Sequence, residues 1–299
     1  MFQNIRISDF VMPGDEGKSG KVYNDRVSEQ GVMTVMQSSG SLSNTFSLVV
    51  RPDKASMQTA EKLRRQLEEQ GIGEDTVQPD YVIVVGGDGT FLYAIHQYME
   101  TLSRHAFIGV HTGTLGFFMD YMDTELEDFV SDLSEGRLEM EPHALMEARA
   151  GGKTLYAVNE VRIENPVRTQ NITVYLNGEK FEDFRGSGLC LCTQLGSSAY
   201  NRSLGGAVLQ KGLGAFEMAE IAGIHHSRFR SLGVPFVMSD TTAVRFSSED
   251  FSGAVLGVDS DVLDMKDMQT VEVARSESKI LHIARGKKIT DFRRLERLF

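Results

Sequence analysis

Apolar positions settle into a regular rhythm from Phe46 onward. SLVVRP (47–52) is a short apolar run closed by Pro52 and reads as a buried strand. Residues 55–70, ASMQTAEKLRRQLEEQ, bring Ala60, Leu63 and Leu67 to one side at helical spacing, with Gly71 as the stop. YVIVV (81–85) is unbroken and β-branched, as expected of a strand covered on both faces. GGDGT (86–90) interrupts it, and FLYAIHQYMETL (91–102) returns to helical spacing. AFIGVH (106–111) is another buried strand, followed by TGTLGFFMD and an acidic helical stretch, TELEDFVSDLSEG (124–136). Strands alternating with helices predict a parallel sheet with helices on its faces.

Near residue 140 the pattern changes to short strands: HALMEARA, KTLYAVNEVRIEN, ITVYLNGEKF, GLCLCTQ, TAVRF and TVEVARS. Asn177-Gly178, between ITVYL and EKFEDF, is a strong hairpin-turn signal, so this region is mostly antiparallel β. One helix is expected to interrupt it, at AFEMAEIAGI (215–224). The basic, partly amphipathic end, RGKKITDFRRLERLF, reads as a docked terminal helix. Upstream, residues 1–44 are polar and then Ser-rich without a sustained period; they are expected to be a disordered tail, with Met33 and Met36 as alternative starts. The predicted fold class is therefore an α/β domain with a parallel sheet over 45–140 and a β-rich domain over 141–284.

The chain has 299 residues, 41% hydrophobic and 24% charged, enough apolar material for one large core or two modest ones. No run of about eighteen apolar residues occurs, and MFQNIRISDF lacks the basic flank and apolar run of a secretory signal. A net charge of -11 argues against a broad nucleic-acid or anionic-membrane surface. Cys190 and Cys192 would point the same way on a strand, which prevents a bridge between them; without a second ligand pair they read as buried thiols in a reducing, cytoplasmic compartment. His225-His226 reads as loop rather than metal site, and His111 as strand-end packing. Asp120, Asp123, Glu125, Glu127 and Asp128 read as a solvated face and helix start, and the methionines as core filler.

The sharpest signal is GGDGT, by position as much as by composition. It follows a buried strand and precedes a helix, at the sheet edge where α/β ligands bind. Gly86, Gly87 and Gly89 let the backbone approach a phosphate, and the helix N–H groups favour an anion. Thr90 either caps the helix or binds a phosphate oxygen. Asp88 is out of place in an anion cradle unless it takes a hydroxyl proton or holds Mg²⁺; the alternative is a helix cap.

GGDGT together with four later blocks resembles the NAD kinase family of Gram-positive type. GGDGT alone is shared with diacylglycerol, sphingosine and phosphofructokinases. HTGTLGFFMDY (111–121), Asn159-Glu160, FRGSGLCLCTQLGSSAYNRSLGGAVL (184–209) and EMAEIAGIHHSRFRSLGVP (217–235) match the family's further blocks in order, over residues about 45–299. A lipid kinase would share only the first block.

The resemblance implies ATP-dependent phosphorylation of the adenosine ribose 2′-hydroxyl of NAD, with Mg²⁺ or another divalent cation accompanying the donor. It implies Asp88 as the base and Gly89 against the ligand. Asn159 and Glu160 would hold the dinucleotide, Ser198, Ala199, Tyr200 and Ser203 would line it, and Arg185, Ser187 and Ala222 match further contact positions. It also implies a site in the cleft between the domains, with 285–299 packing back on the first domain, and a homodimer or homotetramer. Ser187 stands where the family has Asp, Gln194-Leu195 where it has Pro-Thr or Pro-Ser, and Ser260 where relatives carry His or Asn. These departures predict an intact phosphate cradle and an altered acceptor pocket, or else a weakened paralogue that binds a dinucleotide or a partner subunit. The residues leave open the phosphate donor and the choice of NAD over NADH.

Overall fold

The computed structural model describes residues 44–113, 116–225, 231–286 and 289–296. All but the last residue of the expected 1–44 tail, and His226, lie outside the described residues.

The first half alternates as the pattern predicts: β1 (Thr45–Val50), α1 (Lys54–Glu69), β2 (Gly73–Glu74), β3 (Tyr81–Gly86), α2 (Asp88–Gln97), β4 (Ala106–His111), β5 (Met119–Met122) and α3 (Leu126–Ser134). A 3₁₀ segment, Met99–Arg104, follows α2 and takes up the end of the predicted 91–102 helix. β1 pairs in parallel with β2 and β3, β3 with β4, and β4 with β5. The unbroken run in β3 is explained by its two faces. Val82 and Val84 join Phe91, Ile95 and Phe107 under α2. Ile83 and Val85 join Leu63 and Leu67 of α1 and Phe129 of α3 on the other side. α1 is started by Asp53, whose carboxylate accepts the Ser56 N–H at 3.0 Å.

The second half contributes β6 (Glu139–Ala150), β7 (Lys153–Ala157), β8 (Glu160–Glu164), β9 (Gln170–Leu176), β10 (Glu179–Gly186) and β11 (Gly188–Cys192). After a 3₁₀ turn, Leu195–Ser198, come α4 (Tyr200–Ser203), β12 (Ala215–Ile221), β13 (Phe236–Ser239), β14 (Val244–Ser247), β15 (Val255–Val258), β16 (Asp261–Asp264), β17 (Thr270–Arg285) and α5 (Asp291–Glu296). Asn177 (φ 50°) and Gly178 (φ 85°) turn β9 into β10, as their identities predict.

Six of these strands form an antiparallel sheet in the order β13-β12-β11-β8-β15-β16. The others extend the first half's sheet into one of eleven strands, along the path β10-β9-β14-β17-β4-β3-β1-β2. β17 is the join. Its start pairs antiparallel with β14, and near its end His282 and Ile283 pair in parallel with Ala106 and Phe107 of β4. The largest apolar cluster lies between the two sheets, with Ile163, Leu191 and Leu256 from one and Val174, Phe246 and Val273 from the other.

Three expectations are corrected. AFEMAEI is β12, a central strand between β11 and β13, and not a helix. Its Ala, Glu and Met favour helix locally, but both faces are covered and cross-strand pairing decides. Asp120 is not on a solvated face: it is 3% exposed and paired with Arg285 and Arg294. Asp123, Glu127 and Asp128 are exposed, with Glu127 and Asp128 in the first turn of α3. Helix α2 starts three residues earlier than the pattern predicts, inside GGDGT, with Gly87 as its N-cap and Asp88 in its first turn.

Candidate functional site

The carboxyl ends of β1, β3 and β4 face the start of α2. The Thr112 N–H is 3.3 Å from the Gly86 carbonyl, and the Ser56 and Thr112 hydroxyls are 2.6 Å apart. Gly86 is required by packing, since a Cβ there would lie 2.7 Å from Thr90 Oγ1 and 3.0 Å from Arg51 Cβ. Gly87 and Gly89 are different. A Cβ on either meets nothing within 4 Å among the described residues, and neither has the left-handed φ that demands glycine. Protein packing does not explain these two glycines.

Asp88 is half-buried and turned toward the 116–118 backbone. Its Oδ2 accepts the Phe117 N–H at 2.8 Å and its Oδ1 the Phe118 N–H at 2.9 Å. A Cβ on Gly116 would lie 2.2 Å from Asp88 Oδ1, so only glycine admits this carboxylate. Phe118 in turn stacks on Phe91 of α2, centroids 4.9 Å apart, which fixes the backbone that holds Asp88.

Asn159 and Glu160 lie where β7 passes into β8. Gly196 packs against them so closely that a Cβ would sit 2.1 Å from the Asn159 carbonyl oxygen. The Thr193 N–H donates to the same oxygen at 2.8 Å, and the Thr193 hydroxyl donates to the Val158 carbonyl at 2.5 Å. Asn159 Oδ1 and Glu160 Oε2 are buried acceptors with no hydrogen-bond partner among the described residues. Burial, reinforced by the nearby Asp259 charge, raises the Glu160 carboxyl to about 7; Arg162, 3.2 Å from its Oε1, only partly opposes this.

Along β8, Glu160, Arg162 and Glu164 share one face, and the Arg162 guanidinium lies over the Tyr200 ring, 4.8 Å from its centroid. Burial and the Glu164 charge raise the Tyr200 phenol. Ser198 is half-buried and Ala199 exposed beside it; Ser203 is exposed, its hydroxyl donating to the Tyr200 carbonyl at 2.7 Å. The 196–209 segment is anchored by Asn201, whose amide donates to buried Glu217 at 2.9 Å, while Glu217 also accepts the Ala207 N–H at 2.8 Å.

Arg185, Ser187 and Ala222 gather at the other end of β8. Ser187 accepts the Asn165 N–H on its carbonyl at 2.7 Å and donates its own N–H to Ile221 at 2.9 Å. Exposed Ala222 has φ 47°, and its carbonyl would lie 2.8 Å from a Cβ on Gly186. The structure thus ties α2 and the 116–118 loop to the turn before β8 through Phe91, Phe118 and Val158 of one apolar cluster, and sets Arg185, Ser187 and Ala222 one β8 length from Glu160. Leu195 is 7% exposed and belongs to the apolar cluster of Phe91, Phe118, Leu145 and Val158. Its replacement of Thr or Ser therefore changes the core.

Sequence reading missed three side chains, His96, Arg162 and Asp259. The Asp259 carboxylate accepts the N–H groups of Val158 (2.8 Å), Asn159 (2.8 Å) and Glu160 (3.2 Å), and His96 from α2 at 2.9 Å. The turn chemistry of GVDSDV, between two short strands, was the available signal for Asp259; His96 had none. Arg162 was legible from strand periodicity, two residues from Glu160. Among the described residues no cluster of three or more His, Cys, Asp or Glu could hold a metal ion.

Two family models match the chain: the ATP-NAD kinase N-terminal domain over residues 22–138 and the ATP-NAD kinase C-terminal domain over 158–285. The first match starts upstream of residue 45, where the motif resemblance begins. Similar relatives include an NAD kinase of Lactobacillus delbrueckii subsp. bulgaricus, 36% identical over 231 residues, covering 75% of this chain and 87% of that protein. NAD kinase 1 of Halalkalibacterium halodurans is 32% identical over 260 residues, covering 85% and 98%. In fold the chain is similar to yeast NADH kinase complexed with NADH (TM-score 0.72, 16% identity, 85% and 86% covered). It is also similar to an NAD kinase from Archaeoglobus fulgidus in complex with ATP (TM-score 0.68, 20% identity, 85% and 98% covered). An α/β half carrying GGDGT, a β-rich half carrying Asn159-Glu160, and both domain models matched in order lead to one assignment: the chain belongs to the NAD kinase family.

Proposed function

We propose that this enzyme transfers a phosphoryl group from ATP to the adenosine ribose 2′-hydroxyl of NAD, giving NADP, with Asp88 as the proton acceptor. The observation that carries this reading is the placement of Asp88. It is a carboxylate in the first turn of α2, oriented by one backbone N–H on each oxygen, with further lone pairs left for a hydroxyl. Phosphoryl transfer asks mainly for positioning and charge stabilisation, with one group orienting the nucleophile.

The triphosphate is assigned to Gly87, Gly89 and Thr90 at the α2 N-terminus, where open backbone and helix dipole favour an anion. Gly86 shapes that loop. The dinucleotide is assigned to the stripe along β8. Asn159 Oδ1 and Glu160 Oε2 supply buried acceptors in want of donors, and Tyr200 with Ser198, Ala199 and Ser203 forms the wall. From Glu160 to Glu164 the strand runs about 13 Å, a length suited to an extended dinucleotide that ends near Arg185, Ser187 and Ala222. The divalent cation enters as part of the ATP complex, held mainly by phosphate oxygens and water, as Mg²⁺ prefers; the described carboxylates fit that arrangement better than a resident metal cage.

A homo-oligomer fits the edges of the sheets. Phe181 of edge strand β10 stacks on Phe236 of edge strand β13, centroids 5.1 Å apart, beside exposed Val234 and Val237. Light scattering on a sizing column decides between monomer, dimer and tetramer. The buried free thiols Cys190 and Cys192 fit a cytoplasmic protein, and no helix among the described residues is long and apolar enough to cross a membrane.

The decisive experiment monitors NADP formation from NAD and ATP. Asp88→Asn should lower kcat by about 10²- to 10⁴-fold, the usual worth of a general base, with the fold retained by circular dichroism. Turnover equal to the parent's would refute Asp88 as base, and a parent with no turnover would refute the reaction.

A further inference from the structure

Helix α2 and the turn carrying Asn159 and Glu160 come from opposite halves of the chain, and one side chain on α2 reaches between them. His96 lies on the helix that Asp88 opens, and its Nε2 donates to Asp259 Oδ2 at 2.9 Å. The Asp259 side chain is only 1% exposed. Its two oxygens also receive three consecutive backbone N–H groups, those of Val158, Asn159 and Glu160. The Asp259 N–H returns to the Glu160 carbonyl at 3.0 Å, and Asp259 holds φ 50°, a left-handed conformation that a residue with a Cβ adopts at a cost. An enclosed carboxylate that gathers an imidazole from one half and three amides from the other is a joint. Without the imidazole, a buried negative charge loses a side-chain donor and the amides must re-share it.

We propose that His96 is a positioning residue for the phosphoryl transfer, clamping Asp259 so that Asn159 and Glu160 stand in fixed register with Asp88. This rests on the reading of Asp88 as base and of Asn159 and Glu160 as acceptor contacts.

The hydrogen-bonded Asp259 carboxylate raises the His96 imidazole above its usual range; burial opposes this, and the charges of Asp259 and Asp261 add to it. The groups facing it are Asp259 and Asp261, flanking the β15–β16 turn, with Glu160 beyond Asp259. A histidine raised on folding holds its proton to higher pH than a free imidazole, so the clamp is complete in acid and loosens as the ring loses that proton.

The test compares the parent with His96→Leu and His96→Gln. In a pH series that starts below the ordinary imidazole range and runs to alkaline pH, the parent's kcat/KM for NAD should fall on the alkaline side. His96→Leu should lower kcat/KM about ten- to a hundredfold, as expected for a lost charge-assisted hydrogen bond. His96→Gln, which keeps a neutral donor, should recover most of this loss without the alkaline fall. In substrate-free protein, amide exchange at Val158, Asn159 and Glu160 should quicken about tenfold or more in His96→Leu. A leucine variant that matches the parent in either readout overturns the proposal. Should the parent turn over no NAD, the reaction assigned above fails instead, and amide exchange alone decides the clamp: quickening supports it and no change overturns it.

Discussion

Glu160 carries a large single-residue consequence. The residue is 5% exposed, and its carboxyl is raised from 4.5 to about 7 by burial and by Asp259. A carboxyl raised on folding stabilises the fold below its unfolded value and withdraws that stability as pH rises through its folded value. Between pH 4.5 and pH 7 the loss amounts to about 3 kcal/mol. Glu160 should therefore contribute a fall in stability over this window in urea unfolding of the ligand-free protein, and Glu160→Gln should remove that share while leaving the share of Glu182, which burial also raises to about 7. The raised His96 contributes in the same direction at higher pH and should remain in that variant. The sequence points to Glu160 through its order among other motifs, but not to its environment. Its surroundings are created by Gly196 and Thr193 packing on the preceding Val158 and Asn159, by Cys192 of β11 beside it, and by Asp259 arriving from far along the chain. Strand pattern at 160–164 carries no trace of those partners.

At the scale of elements, the glycines divide into two kinds that substitution separates. Gly196→Ala would place a Cβ 2.1 Å from the Asn159 carbonyl, against backbone, and should cost about 1–3 kcal/mol. Thermal unfolding should show it, together with weaker NAD binding by calorimetry. Gly87→Ala and Gly89→Ala meet open space, and stability should stay within about 1 kcal/mol of the parent. Any rise in KM for ATP in those two variants then reports the approach of a ligand to the backbone. The elements themselves are legible wherever period and punctuation agree. β3 and α1 follow the apolar spacing, and the β9–β10 hairpin follows from Asn177-Gly178. β12 escapes a sequence reading because AFEMAEI satisfies a helical pattern as well as a buried strand, and only pairing to β11 and β13 settles it. Its Glu217, fully enclosed and bound to Asn201 and the Ala207 N–H, has no place in a simple hydrophobic pattern of either kind.

For the whole molecule, the chain's last segment secures the first half through charge. Arg285, at the end of β17, pairs with Asp120 at 3.4 Å and Glu141 at 3.3 Å, and Arg294 on α5 also pairs with Asp120. Burial would raise Glu141, but His143 at 3.6 Å, the bonded Lys211 and Arg285 together outweigh it and hold the carboxyl down to about 2. Arg285→Met should leave Asp120 with Arg294 and Glu141 with Lys211 as their remaining cations, and destabilise the protein by about 1–3 kcal/mol, measurable by urea unfolding at neutral pH. Asp120 reads as a surface charge in the sequence because its acidic neighbours open a helix, while its cationic partners lie more than a hundred and sixty residues away.

The joining strand also sets an order of events in the cell. β4 borders β3 on one side, and part of its other border is filled by His282 and Ile283 of β17. While the ribosome is still making residues 112–281, that stretch of β4 has no neighbour from β17, and an open strand border invites pairing with other chains. The N-terminal half therefore leaves the exit tunnel with its sheet incomplete, and closes it only when the second half has been translated and has returned to it.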